Sequence, residues 1–345
     1  MFSNLNLFAA PVFALLITTS IHSTANAAEV GWRQITVAGG QRETAPTVVA
    51  LFYPTTSTAR NVAMGPFSIN AAIQAPPEAQ VKGLIVLSNG TAGSELGHSS
   101  LAQALAQSGY LVAALRHPGD NWQDISLRDG TGSAGKNYFV QRPLQVSQVI
   151  DALLQDPLWK DRIASDSKGP RIGAVGHSAG GYTVLALAGG QLDMDRLAAH
   201  CTSNRADDPI FCSLTPKGSG TAAPRSTPTQ SVTDARVRAV VAMSPASAMF
   251  TAASLAAIGV PTLLYRAEED HFLVPRFHIG WVAQNMPQAQ MVSVPLARHF
   301  AFMDTPSMPL MSPDGDVGAN APGFDRSAFL EKLGRELPAF FDRSW

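Results

Sequence analysis

The chain has 345 residues, of which 46% are apolar and 15% charged. That is enough apolar sequence to bury a large core, so disorder is excluded as the dominant state, and one large or two ordinary domains are allowed. Twenty-five Lys and Arg against 26 Asp and Glu leave a net charge of −1, with no basic surplus to neutralise a nucleic-acid backbone.

The first feature along the chain is Leu7–Ile21, an apolar stretch of 15 residues that ends in His22-Ser23-Thr24. Ala25-Asn26-Ala27 follows, the small-x-small pattern of a signal-peptidase site, so residues 1–27 are expected to be an export signal. The stretch is short for a membrane span, which needs about 20 residues, and no other segment approaches that length. An exported protein beginning near Ala28, periplasmic or secreted, is the expectation.

From there apolar runs alternate with helical patterns. Strands are predicted at Val48–Tyr53, Gly83–Leu87, Leu111–Leu115, Arg171–Val175, Val237–Met243, Pro261–Tyr265 and Gln290–Val294. Helices are predicted at Leu101–Ala106, Gln145–Leu154, Gly180–Ala188, Val274–Asn285 and Phe329–Phe341. Strands that are apolar on both faces, alternating with helices, define a mostly parallel covered sheet, here a single doubly wound α/β domain over residues 28–345. Two stretches break the alternation: the Gly-rich Asp120–Asn137 and the excursion Gln191–Asp234, with its Pro/Ser/Thr-rich run at Pro224–Ser231. Loops of that length inside a domain are usually functional or disordered. The excursion holds both cysteines, Cys201 and Cys212, too few for a disulfide scaffold and without the pairings of a structural zinc site. In an exported protein they are expected to form one disulfide.

Gly176-His177-Ser178-Ala179-Gly180 matches G-x-S-x-G and lies between a predicted strand and a predicted helix, the setting of a nucleophile elbow. A serine hydroxyl needs a base, and the base an orienting carboxylate, in the chain order Ser, acid, His. Four histidines follow Ser178. His299 comes a short loop after the strand Gln290–Val294 and is the expected base. His278 falls in a helical pattern and His200 in the excursion, where surface or packing roles suffice, while His271 is placed to line a pocket. For the acid, Asp270 projects from the end of Pro261–Tyr265, ahead of the competing Glu268 and Glu269. The turn Ser88-Asn89-Gly90-Thr91-Ala92-Gly93 follows another strand end, so the N–H groups of Thr91 and Ala179 are the expected oxyanion donors.

Together these residues resemble the α/β-hydrolase superfamily, specifically its predicted dienelactone hydrolase and platelet-activating-factor acetylhydrolase-like serine esterases. The resemblance runs from about Trp32 to Phe302. It is carried by Phe52-Tyr53-Pro54, His117-Pro118-Gly119-Asp120, Arg142-Pro143, the run Gly176 to Thr183 (GHSAGGYT), and Arg298-His299-Phe300-Ala301-Phe302. It implies an α/β-hydrolase fold, with residues 191–236 as a cap insertion between the nucleophile helix and the next strand. It further implies hydrolysis of a small-molecule ester through an acyl-enzyme, without metal or organic cofactor. Where that family's oxyanion turn usually begins His-Gly, this chain has Asn89-Gly90. Dienelactone hydrolase proper uses a cysteine nucleophile, and Ser178 argues against that substrate. A peptidase or amidase on the same three residues, and a secreted binding protein on a hydrolase scaffold, are the rival readings. Substrate identity and oligomeric state are not legible.

Overall fold

Six apolar runs, beginning at Leu84, become the parallel strands at the centre and one side of a ten-stranded sheet. The computed structural model describes residues 1, 28–40, 44–129, 138–214 and 231–345. The expected signal at residues 2–27, loop residues 130–137 and residues 224–230 of the Pro/Ser/Thr-rich run lie outside the described residues.

The strands are β1 (Glu29–Val37), β2 (Thr47–Thr55), β3 (Arg60–Met64), β4 (Phe67–Ile73), β5 (Leu84–Ser88) and β6 (Leu111–Arg116). A two-residue hairpin, β7 (Ser165–Asp166) and β8 (Gly169–Pro170), precedes β9 (Ile172–His177), β10 (Val237–Met243), β11 (Thr262–Ala267) and β12 (Gln290–Val294). The sheet order is β12-β11-β10-β9-β5-β6-β2-β1-β4-β3. β2 runs antiparallel to both β6 and β1, so the sheet is mixed at one side. The helices are α1 (Ser99–Gln107), α2 (Ser126–Asp129), α3 (Tyr138–Gln155), α4 (Ala179–Leu187), α5 (Met194–Ser203), α6 (Pro209–Leu214), α7 (Ala252–Ala256), α8 (Ile279–Asn285) and α9 (Arg326–Asp342). Among the described residues no helix is long and apolar enough to cross a membrane.

The two-residue period of a strand divides the core in two. Leu84 and Val86 of β5 face one cluster with Val146, Val149 and Ile150 of α3 and Val184 of α4. Ile85 and Leu87 face the other, with Leu101 and Leu105 of α1 and Phe340 and Phe341 of α9. The sheet is therefore covered on both sides, which is why these strands read as continuous apolar runs.

Three strands of the ten-stranded sheet are absent from the sequence reading. β1 and β4 carry exposed positions among buried ones, as in Phe67-Ser68-Ile69-Asn70-Ala71, and no residue of β3 is buried, so they lack the unbroken apolar signal of the centre. The excursion is also more ordered than expected: it contains α5, capped by Asp193, and α6. The helix expected at Val274–Asn285 begins only at Ile279, because the chain turns at His278, whose ring is hydrogen-bonded from both ring nitrogens.

Sheet and helix come closest where β5 passes the start of α4. A Cβ on Gly180 would lie 1.8 Å from the Ser88 carbonyl oxygen, and one on Gly176 2.0 Å from that of Gly180. Backbone cannot retreat as a side-chain tip can, so Gly180→Ala is expected to give little folded protein or a much lower unfolding temperature. Gly259→Ala, where a Cβ meets nothing within 4 Å, is the matched control and should unfold near the native temperature in the same thermal scan.

Candidate active site

Ser178 sits between β9 and α4 with φ 58° and ψ −118°. A non-glycine residue there costs about 1–3 kcal/mol and persists only when its surroundings enforce it. Three hydrogen bonds do so. The Ser178 N–H donates to the Met243 carbonyl at 3.0 Å, and the Ser178 carbonyl accepts from Ala246 N–H at 3.0 Å and Tyr182 N–H at 3.1 Å. The turn is thus strapped to the end of the neighbouring β10 as well as to its own helix. Gly176 and Gly180, the two glycines of the motif, leave room for it.

Asp270 follows β11 and is 3% exposed. Its Oδ1 accepts the N–H groups of Phe272 and Leu273 at 2.9 and 2.8 Å, and its Oδ2 accepts His299 Nδ1–H at 2.8 Å. Glu268 pairs instead with Arg266 at the half-exposed rim. His299 opens a 3₁₀ turn, His299–Phe302, after β12 and is buried. Because its Nδ1–H is given to Asp270, Nε2 is left with the lone pair. The Phe272 ring stacks on the imidazole, 4.7 Å between centroids and 13° between planes, which fixes its tilt. His177, next to Ser178, donates Nε2–H to the His299 carbonyl at 2.8 Å, and the two rings lie 4.8 Å apart. Burial pushes the His177 pKa well below its ordinary value, so this strut is a neutral imidazole. The structure thereby brings the Ser178 turn and the His299–Asp270 pair to one end of the sheet. His271 is 61% exposed at its side chain and its nearest acid is Asp314 at 3.8 Å; it does not line the pocket.

Among the described residues, no acceptor is paired with the backbone N–H of Thr91 or of Ala179, the first residue of α4. Both residues line the same cavity as Ser178. The Thr91 turn is held by groups to which the sequence alone assigned no role. Asp120 Oδ1 accepts Thr91 Oγ1–H at 2.7 Å and Ala92 N–H at 2.9 Å, while its Oδ2 accepts from Tyr138 Oη at 2.9 Å and from Arg142 Nη1. Arg142 also donates to the Asn89 carbonyl, to Ser88 Oγ at 3.3 Å and to Thr183 Oγ1 at 3.2 Å. Arg142 and Asp120 are both fully buried, a position in which such groups need the partners they have here, each other and these dipoles. Ser88 and Asn89 precede the turn, Thr183 lies in α4, and Arg142 joins them from α3.

The cavity beside Ser178 has a volume of about 110 Å³. Its walls include Tyr138, Phe139, Tyr182, Phe211, Met249 and Phe272, and none of its lining side chains among the described residues is charged. Pro143 contributes indirectly. It has no N–H for the Phe139 carbonyl one turn back in α3, and Tyr182 Oη donates to that carbonyl at 2.9 Å. Burial raises the Tyr182 phenol above its ordinary value, so it stays neutral in this wall.

Cys201 and Cys212 form a disulfide joining α5 to α6. His200 and His278 are neither surface nor plain packing residues: both bond Oδ2 of the fully buried Asp208, at 2.8 and 3.0 Å. These three offer ligand atoms within 4.8 Å of one another, as a metal site would. The proton positions argue otherwise. His278 Nδ1 accepts the N–H groups of Ser247 and Ala248 at 3.1 and 3.3 Å, so its Nε2 carries the proton that Asp208 receives and has no lone pair for a metal. Burial lowers the His278 pKa, in keeping with a neutral ring. Burial alone would raise Asp208, but the hydrogen bonds from His200 and His278 hold its carboxyl down at about 2.

An open, mostly parallel sheet covered by helices on both faces, with a serine on a strained strand–helix turn and an Asp–His pair beyond later strands, is the α/β-hydrolase fold. Among solved structures, a ferulic acid esterase from Streptomyces cinnamoneus superposes with a TM-score of 0.57 at 19% identity, over 93% of this chain and 91% of its own. A dienelactone hydrolase from Anabaena variabilis aligns over 92% of this chain and 99% of its own, at 14% identity and a TM-score of 0.49. No family model matches the chain, and no curated protein matches it in sequence.

Removing one partner of a buried ion pair strands the other, at about 3–5 kcal/mol. Arg142→Met is therefore expected to lower the unfolding free energy by about that amount in urea titration. A loss below about 1 kcal/mol, the worth of a solvent-exposed pair, would contradict the buried network.

Proposed function

We propose that this chain is an exported serine hydrolase that cleaves a carboxylic ester of small or short acyl group through an acyl-enzyme. The observation that carries the reading is the 2.8 Å hydrogen bond from His299 Nδ1 to Asp270 Oδ2, both buried, at the same sheet end as a serine held at positive φ. Ser178 is the nucleophile, His299 the base, Asp270 the orienting acid, and the Thr91 and Ala179 N–H groups are the oxyanion donors.

As Ser178 Oγ bonds to the acyl carbon, its proton passes to His299 Nε2 and the carbonyl electron pair moves onto the oxygen facing the two N–H groups. Asp270 accepts Nδ1–H throughout and stabilises the imidazolium. Collapse breaks the ester bond, and the leaving alkoxide takes the proton from His299. Water then repeats the sequence on the acyl-enzyme, giving its proton to His299, which returns it to Ser178 as the carboxylic acid departs. These steps balance without a metal or organic cofactor. The uncharged aromatic cavity suits a neutral acyl group, since a carboxylate or ammonium there would be desolvated without a partner.

Export rests on the leader at residues 1–27, and the Cys201–Cys212 disulfide suits an oxidising compartment, periplasmic or extracellular. Residues 28–345 then make up the working domain, with 191–236 as its cap.

Ser178→Ala is expected to cut turnover of p-nitrophenyl acetate or butyrate by several orders of magnitude. Asp270→Asn, which keeps the shape but favours the wrong imidazole tautomer, should cost about four orders. Turnover that survives Ser178→Ala intact would overturn the assignment.

A further inference from the structure

We propose that Asp208 is a positioning residue that sets the acyl-length limit of this site, by clamping helix α6 as the end wall of the cavity. The proposal rests on the serine-hydrolase reading above and adds to it the part of the protein that fixes its specificity.

In an acyl-enzyme the acyl carbon is bonded to Ser178 Oγ and its oxygen faces the Thr91 and Ala179 N–H groups. The rest of the acyl group must then occupy the cavity that these three residues line. At about 110 Å³ it is smaller than the roughly 150 Å³ that accommodates a benzene molecule, so it suits a short chain. The excursion supplies two of its walls, Phe211 and Leu214, both on α6. Phe272 and Leu273, whose N–H groups bind Asp270, line the same cavity. Cavity length therefore depends on where α6 sits relative to the loop that carries the acid.

A helix of six residues does not hold itself in place. The Cys201–Cys212 disulfide ties α6 to α5, which lies in the same excursion, so it cannot by itself set the distance to the sheet. Asp208 can. It immediately precedes α6, its carbonyl accepts the Cys212 N–H at 3.1 Å, and one carboxylate oxygen takes His200 from α5 and His278 from the start of α8. His278 in turn is fixed to the loop after β10 through the N–H groups of Ser247 and Ala248. The Phe211 ring packs edge-on against His278, 4.5 Å between centroids, so the wall side chain rests directly on the clamp. Further ties, the Arg196 guanidinium 3.6 Å from the Trp281 ring centre and the Arg276–Asp207 ion pair at 2.9 Å, are more exposed than the Asp208 clamp. Every group in the chain from Asp208 to Ser247 is buried or nearly so, which makes these hydrogen bonds costly to break.

The test is the ratio of kcat/KM on p-nitrophenyl octanoate to that on p-nitrophenyl butyrate, with the full chain and with active Ser178 counted by a fluorophosphonate probe. Asp208→Ala leaves two buried Nε2–H groups without an acceptor and is expected to raise the ratio about tenfold or more, on the scale of a methylene-sized change in a hydrophobic pocket. The gain should fall on KM for the octanoate. Asp208→Asn keeps an oxygen for both histidines and should return the ratio to near the native value, which a general loss of stability would not do. Phe211→Ala, shortening the wall directly, should raise the ratio as well. If Asp208→Ala does not fold, His200→Ala takes its place, removing one arm of the clamp with the same expected direction. A ratio unchanged in the clamp variants and in Phe211→Ala overturns the proposal and leaves the hydrolase reading standing. A native protein that neither labels at Ser178 nor cleaves either ester overturns that reading and this proposal with it.

Discussion

The close approach of β5 to the first turn of α4 is the constraint on which the rest of the site depends. Only glycine at 180 lets the Ser88 carbonyl come so near the helix, and only that approach brings the Asn89–Gly93 turn alongside Ser178. The serine must then adopt a positive φ, a conformation that no isolated peptide would hold. Met243 and Ala246, at the end of β10, hold it there. Strain at Ser178 is thus balanced by hydrogen bonds to the end of β10 and the loop that follows it. Among the described residues, the Ala179 N–H at the head of α4 is paired with no acceptor.

Around that contact the protein uses buried charge in two different ways. Beneath the Thr91 turn, Arg142 and Asp120 form a buried ion pair whose remaining hydrogen bonds go to Asn89, Thr183, Tyr138 and the turn itself. It makes the turn rigid, as the oxyanion role proposed for it requires. In the excursion, one carboxylate, Asp208, bonds two imidazoles and adjoins a helix rather than a turn. Between these two polar assemblies the cavity itself is aromatic and uncharged.

Much of this was legible in the sequence, and the reasons are local. Ser178 is marked by glycines two before and two after it, between an apolar run and a helix. Asp270 and His299 are marked by following strand ends in the expected order, and the structure pairs them. The strands of the main sheet that went unread, β1, β3 and β4, are partly exposed and lack a continuous apolar signature. What no local pattern carries is partnership across distance. Asp120 and Arg142 stood out only as members of a resemblance, since their bond joins the end of β6 to α3. His278 read as a packing residue because nothing near it in sequence reveals Asp208, which reaches it from the excursion 70 positions earlier. The helices of the excursion were hidden for a similar reason: α5 has few apolar residues, and its buried face is completed by Cys201 and by the clamp.

The strand order has one consequence for the life of the molecule. Thr91 follows β5, Ser178 follows β9, Asp270 follows β11 and His299 follows β12, the outermost strand on that side. Each pairing is parallel and non-local, the kind that forms slowly because loop closure must precede any reward. The Asp270–His299 hydrogen bond joins the segments that follow the last two of these strands, so a chain with β12 undocked would lack that bond while keeping the Ser178 turn.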